Sequence, residues 1–197
     1  PTHRTPTASY TFAGLTAGQS YWVWVRSACS NTDQSDWVGP QDITLANTPV
    51  DLPYVEDFES NPTFDFTTNR NNRWYIGTAA QASGTKGLYI SEDQGVNNTY
   101  YTAYDQVVHT YKDIRIPTDA TELSIGFDWR CLGEINYDFF RVWLVPASYT
   151  PVGGTLISTN VAGAIPVGHE MFGQQTEFKR ENFVVEVGSI QGQVYRL

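Results

Sequence analysis

The stretch Leu123–Pro146, LSIGFDWRCLGEINYDFFRVWLVP, constrains the fold more than any other part of the chain. It holds two apolar runs that alternate at a period of two, joined by a short polar turn. Ile125, Phe127 and Trp129 fall on one side of the first run, and Phe140, Val142 and Leu144 on one side of the second. A period of two belongs to a strand with one buried face, so the pattern predicts a central β-hairpin with Gly133, Glu134 and the residues through Asn136 in the connection. Elsewhere short runs rich in Tyr, Trp, Val and Thr are broken by Gly, Pro, Asn and Asp, which argues for an all-β chain. Aromatic residues make up 14% and charged residues only 17%, the opposite of a disordered composition. A chain of 197 residues can form one sandwich of ordinary size plus a smaller piece.

The formal net charge of -9 disfavours nucleic acid and anionic membranes, both of which need positive charge to replace counterions. It suits an extracellular protein or one that binds cations. No run approaches the roughly 20 apolar residues of a membrane span, so no membrane insertion is expected. The start of the chain carries no signal-peptide pattern and opens in mid-pattern, which leaves export open. Cys29 and Cys131 fall in different expected domains, and a bridge would require their Cα atoms to come within about 7 Å. Neither has a His nearby at zinc-ligand spacing.

Taken in order, Ser9–Phe12 reads as a short strand. Leu15, a run of turn residues and Tyr21 follow, and Tyr21 leads an alternating strand. Tyr21, Val23 and Val25 share the side expected to face a core, and Trp22, Trp24 and Arg26 share the other. Ser35-Asp36-Trp37 and Gly39-Pro40 then lead into a strand at Gln41–Leu45. This order resembles the second half of a fibronectin type III module, which we assign to residues 1–47. The resemblance implies that Tyr21 is a tyrosine-corner residue, its hydroxyl bonded back to the corner backbone. It also implies a fragment of a longer protein. Trp22, Trp24 and Trp37 admit two readings, a sugar-binding platform or a surface packed on missing strands or on the next domain. Residues 48–52, with prolines on both flanks of the junction at Pro49 and Pro53, read as a linker.

Beyond the linker come LPYVEDFE at 52–59, Trp74-Tyr75-Ile76-Gly77, GLYIS at 87–91 with Asp93 and Gly95 behind it, a strand at Tyr111–Pro117, and the expected hairpin. Asn160–Gln175, rich in Gly and Pro, reads as a long surface loop before a strand at Asn182–Val187. The opening LPYVEDFE, the lone Trp74, GLYIS and the FDW…GE…D core together resemble the jelly-roll adhesin modules of secreted Bacteroidetes proteins. These are the choice-of-anchor J or cleaved-adhesin domains, distantly like MAM domains. The resemblance implies a jelly-roll β-sandwich over 53–197 that lacks its last strand or strands.

The carboxylates are the most informative polar residues. In YVEDFES the side chain of Phe58 is expected to face the core, which points Asp57 and Glu59 together to the opposite face. Two carboxylates on one face suit a calcium ion, which takes six to eight oxygen ligands, and the family resemblance implies a structural calcium role for Glu59; the alternative is a solvated strand end with ordinary hydrogen bonds. Asp138 has the parity of Phe140 and Val142 and is the expected third ligand. Its alternatives are Arg130, Arg141 or backbone N–H groups. For sugar binding, Arg141 and Trp143 share the side opposite Phe140 and Val142, and Tyr100, Tyr101 and Tyr104 could rim that face. The competing reading covers that face and makes Trp143 core, as Trp74 is expected to be. Glu134 and Asp138 are better read as turn formers than as a glycosidase pair. His3, His109 and His169 are scattered, and neither a nucleophile elbow nor a phosphate-binding loop is present. Asn97-Asn98-Thr99 satisfies the glycosylation sequon formally, which carries no meaning in a bacterial chain.

These readings converge on a non-catalytic binding or adhesion module of a secreted bacterial multidomain protein, extracellular or at the cell surface. Its expected partners are glycan or a host or matrix protein, and other domains of the same chain. The alternative is a structural spacer for a protease or glycosidase domain elsewhere in the parent chain.

Overall fold

The computed structural model describes residues 2–15, 20–45, 47–60, 62–172 and 174–197. It is all-β: among the described residues there are strands and turns and no helix. Its contacts divide the chain into two compact units, Pro1–Thr48 and Pro49–Leu197.

The first unit is built on β1 (Ser20–Val25) and β2 (Val38–Thr44), paired antiparallel with Trp22 opposite Asp42. Tyr21 and Val23 are the more buried side chains of β1, and Trp22 and Trp24 are exposed, as the alternation predicts. The alternation breaks at Val25, which is 64% exposed, because the register shifts between Val23 and Val25. Arg26 lays its guanidinium over the Trp37 ring at 4.4 Å. Residues 9–12 form no strand. Tyr10 stacks on His3, and Phe12 meets both rings edge-on. The corner to which the Tyr21 hydroxyl is expected to bond, residues 16–19, lies outside the described residues.

In the second unit β3 (Val50–Asp51) comes first, inside the stretch read as linker. Next are β4 (Asp65–Phe66), β5 (Thr68–Asn69), β6 (Asn72–Gly77) and β7 (Gly87–Ser91). Then follow β8 (Thr110–Tyr111), β9 (Asp113–Arg115), β10 (Glu122–Leu132) and β11 (Phe139–Pro146). The last three are β12 (Ile165–Phe172), β13 (Gln174–Glu186) and β14 (Val194–Arg196). A five-stranded sheet runs β12-β11-β14-β9-β3, β10 pairs with β13, β5-β6-β7 form a third sheet and β4 pairs with β8.

The parity of β10 holds, while β11 turns Phe140 and Leu144 to the core but is covered on its other side too, and the expected pairing of the two strands does not form. Among the described residues β10 bonds only to β13, whereas β11 lies between β12 and β14. The turn at 133–138 is therefore an arch that carries the chain from one sheet to the other. Leu123 on β10 and Val185 on β13 are buried in one cluster with Ile114, Leu144, Val167 and Tyr195 of the five-stranded sheet. Phe127 meets the Phe140 ring at 5.7 Å and Trp129 meets it at 6.1 Å. A period-two pattern fixes which side of a strand is buried and leaves its neighbour open, and facing sheets bury both apolar sides as well as a hairpin would.

A further expectation is corrected. Asn160–Gln175 is mostly strand: β12 and the start of β13 occupy it. Gly168, at φ +74°, packs under the Phe183 ring and bulges β12, so Val142 pairs with Val167 and Phe140 with Met171. That bulge erases the clean alternation. Residues 192–197 supply β14, which lies between β11 and β9 in the middle of the five-stranded sheet.

That sheet is buried on both faces. Leu144 (0% exposed) and Tyr195 (3%) face β10 and β13, and Val145 (2%) lies on the other side, in register with Arg196. Arg196 and Asp113 are themselves register partners, and the guanidinium bonds the Asp113 carboxylate at 2.8 Å and the Tyr149 carbonyl at 2.6 Å. Their side chains are 11% and 5% exposed. Removing one member of such a pair strands the other charge. Arg196→Met is expected to lower stability by about 3–5 kcal/mol in chemical denaturation, and a loss below about 1 kcal/mol would contradict a buried pair.

Candidate functional site

The sequence TNRNNR at 68–73 makes a tight reversal between β5 and β6, with Asn69 paired to Asn72 and Arg70 at φ +54°. Residues 101–108 run beside it without forming a strand, held by side chains. Gln106 Oε1 accepts the N–H groups of Asn71 (3.2 Å) and Asn72 (3.1 Å). Asn72, 5% exposed, accepts the Tyr101 N–H through Oδ1 at 2.8 Å. The Trp74 indole donates to the Val108 carbonyl at 3.2 Å. Trp74 thus serves as a half-buried strut. The two segments form a clasp that leaves aromatic groups on its outside. Tyr101 and Tyr104 stack with ring centroids 6.1 Å apart, and Arg70 lies over the Tyr104 ring at 4.5 Å. Tyr104 is 59% exposed. Among the described residues no carboxylate pairs with Arg70, so its donors remain open to a ligand.

The preceding loop is fixed by Asp93, whose carboxylate accepts the Ser91 hydroxyl (2.6 Å), the Asn97 N–H (2.9 Å) and the Asn97 side-chain amide (2.7 Å). The Ser91 hydroxyl, then the Asn97 donors, hold its pKa down to about 2.

The other expected ligand residues sit elsewhere. The Tyr100 hydroxyl donates to Asp138 Oδ2 at 2.9 Å and lies 3.2 Å from the Leu132 carbonyl. Burial, with the Asp138 carboxylate, raises its pKa above the ordinary phenol range. Gly133 leaves room for this contact, since a Cβ there would collide with Asp138 and the Tyr100 hydroxyl. Tyr100 is therefore a latch on the arch. Arg141 pairs with Glu170 and lies 4.8 Å over Phe139. Trp143 is half-buried, on the same side of β11 as the buried Val145. Among the described residues no hydrogen bond or ring contact joins Arg141 or Trp143 to the tyrosines.

The three acids expected to share calcium are also apart in function. Phe58 adopts φ +64°, which breaks the strand parity that was to align Asp57 with Glu59. Asp57 accepts the Glu59 N–H at 3.0 Å. Glu59 accepts the N–H groups of Thr85 (2.7 Å) and Lys86 (2.9 Å) and the Thr85 hydroxyl. Those donors lower its pKa, the Thr85 hydroxyl most. Asp138 takes the backbone alternative, accepting the Glu134 N–H at 2.7 Å as well as the Tyr100 hydroxyl. Among the described residues no three His, Cys, Asp or Glu groups converge on a metal position. Donors that already occupy both Glu59 oxygens compete with a cation, so this set does not fit a shared calcium site.

An open cleft of 610 Å³ lined by Tyr54, Glu56, Asp57, Thr63 and Lys112 is internally satisfied. The Tyr54 hydroxyl and the Phe58 N–H donate to Glu56, and Lys112, 7% exposed, donates to the Thr63 carbonyl at 2.6 Å and hydroxyl at 2.9 Å. Cys29 and Cys131 are free thiols.

Comparison with protein-family models, with curated proteins and with solved structures finds no match to this chain.

Because Tyr100 acts on the arch, Tyr100→Phe is expected to cost about 1–2 kcal/mol in denaturant melts through loss of a bond to a carboxylate. An unchanged melt would show that the latch contributes nothing.

Proposed function

We propose that this chain is a non-catalytic module that binds glycan through the Tyr101–Tyr104–Arg70 cluster and so attaches its parent protein to a sugar-bearing surface outside the cell. One observation carries the reading: a tyrosine ring more than half exposed, held in place by a stacked arginine and a second ring on a clasp of side-chain hydrogen bonds. Flat apolar rings receive the C–H faces of a pyranose, and a guanidinium with open donors donates to its hydroxyl oxygens. Both groups are ordered before binding, so little entropy is lost when the ligand arrives. The resemblance to jelly-roll adhesin domains and to a fibronectin type III half agrees with an extracellular attachment role. The acidic surface agrees with a partner other than nucleic acid.

The reading is tested by a glycan array probed with the wild-type chain and with Tyr104→Ala. Tyr104 is too exposed to matter to folding, so the variant is expected to melt as the wild type does and to bind its best glycan at least tenfold more weakly, about 1.4 kcal/mol. Equal array signals from the two proteins would refute the assignment of the cluster.

A further inference from the structure

On the third sheet, Arg73 of β6 stands between two rings, 5.4 Å from the Phe66 centroid and 5.5 Å from that of Tyr75. It lines an open cleft of 290 Å³ with Pro62, Phe66, Trp74, Tyr75 and Ile76. This cleft has residues distinct from the Tyr101–Tyr104–Arg70 cluster. Acids outnumber Lys and Arg by 21 to 12 in the chain, yet among the described residues no carboxylate pairs with Arg73. Elsewhere the same chain neutralises Arg115, Arg141, Arg180 and Arg196 with Asp or Glu. The exposed Arg73 instead lies within cation–π range of two rings, an attraction that leaves its N–H groups unspent.

We propose that this cleft binds the carboxylate of an acidic sugar unit of the uronic acid class. A planar guanidinium matches a carboxylate with two parallel hydrogen bonds. The aromatic walls offer a surface for the sugar ring beside it. The volume lies near the lower limit of small-ligand sites, about 300 Å³, which gives room for one monosaccharide unit. The inference rests on the glycan reading and deepens it, naming the charge of the sugar and a second contact for it.

The test titrates D-glucuronate, D-glucose and sodium acetate separately into the full chain and follows the Arg73 Nε–Hε resonance by NMR. Glucuronate is expected to shift it with a half-saturation at least tenfold below that of glucose and of acetate. Arg73→Gln is expected to abolish the preference for glucuronate over glucose, read from the Ile76 amide, with its other amide resonances unchanged. Tyr104→Ala is expected to leave it intact. Equal half-saturation for glucuronate and glucose would overturn the proposal. So would acetate matching glucuronate, which would mark a plain anion site, or a preference that survives in Arg73→Gln. If glycan binding remains Tyr104-dependent while glucuronate shows no preference, only this inference fails. If no sugar binds at all, the glycan reading fails with it.

Discussion

The carboxylate of Asp138 decides how the second unit is put together. By accepting the Glu134 N–H at 2.7 Å it closes the arch at 133–138, and the chain leaves β10 for a different sheet from the one that β10 belongs to. The two most apolar strands then face each other across the core. Phe127 and Trp129 meet Phe140, and such ring pairs add about 0.5–1.5 kcal/mol beyond the area they bury. The same carboxylate takes the Tyr100 hydroxyl. The arch is thus tied directly to the segment whose next residues, Tyr101 and Tyr104, form the proposed contact surface. Fold and site share one hydrogen-bonded corner.

Arginine is used in two ways in this acidic chain. Where burial is deep, as at Arg196, a carboxylate and a backbone carbonyl satisfy the guanidinium. Where it is exposed on the third sheet and its turn, rings orient it instead, at Arg70 and Arg73. Stacking fixes a plane without consuming donors, so it leaves cations available to a ligand against a negative background. The first unit repeats the device with Arg26 on Trp37, beside the exposed Trp22 and Trp24.

Much of the fold was legible in the sequence because apolar parity is a local property. The buried side of β10, the core-facing residues of β11, the strand at 87–91 and the exposed tryptophans of β1 follow from it directly. Strand partners were not legible, since parity is the same in a hairpin and in an arch. β12 was hidden by the bulge at Gly168, and β3 by its length and its flanking prolines. At the site, Tyr101 and Tyr104 could be picked out as rings in a polar loop. Arg70 and Arg73 could not, because TNRNNR reads as turn chemistry and their roles depend on rings distant in sequence. The grouping of Asp57 with Glu59 assumed an extended backbone that Phe58 does not adopt.

The central claim is that ligand contact occurs at the tyrosine cluster. Its most direct measurement is NMR of the chain carrying ring-labelled ¹³C-tyrosine, with the oligosaccharide that scores highest on the array added stepwise. Binding at the cluster requires the Tyr104 and Tyr101 ring signals to shift together and saturably, while the signal of the Tyr195 ring, buried in the core, stays in place. Saturable binding that leaves the Tyr104 and Tyr101 rings unmoved would contradict it.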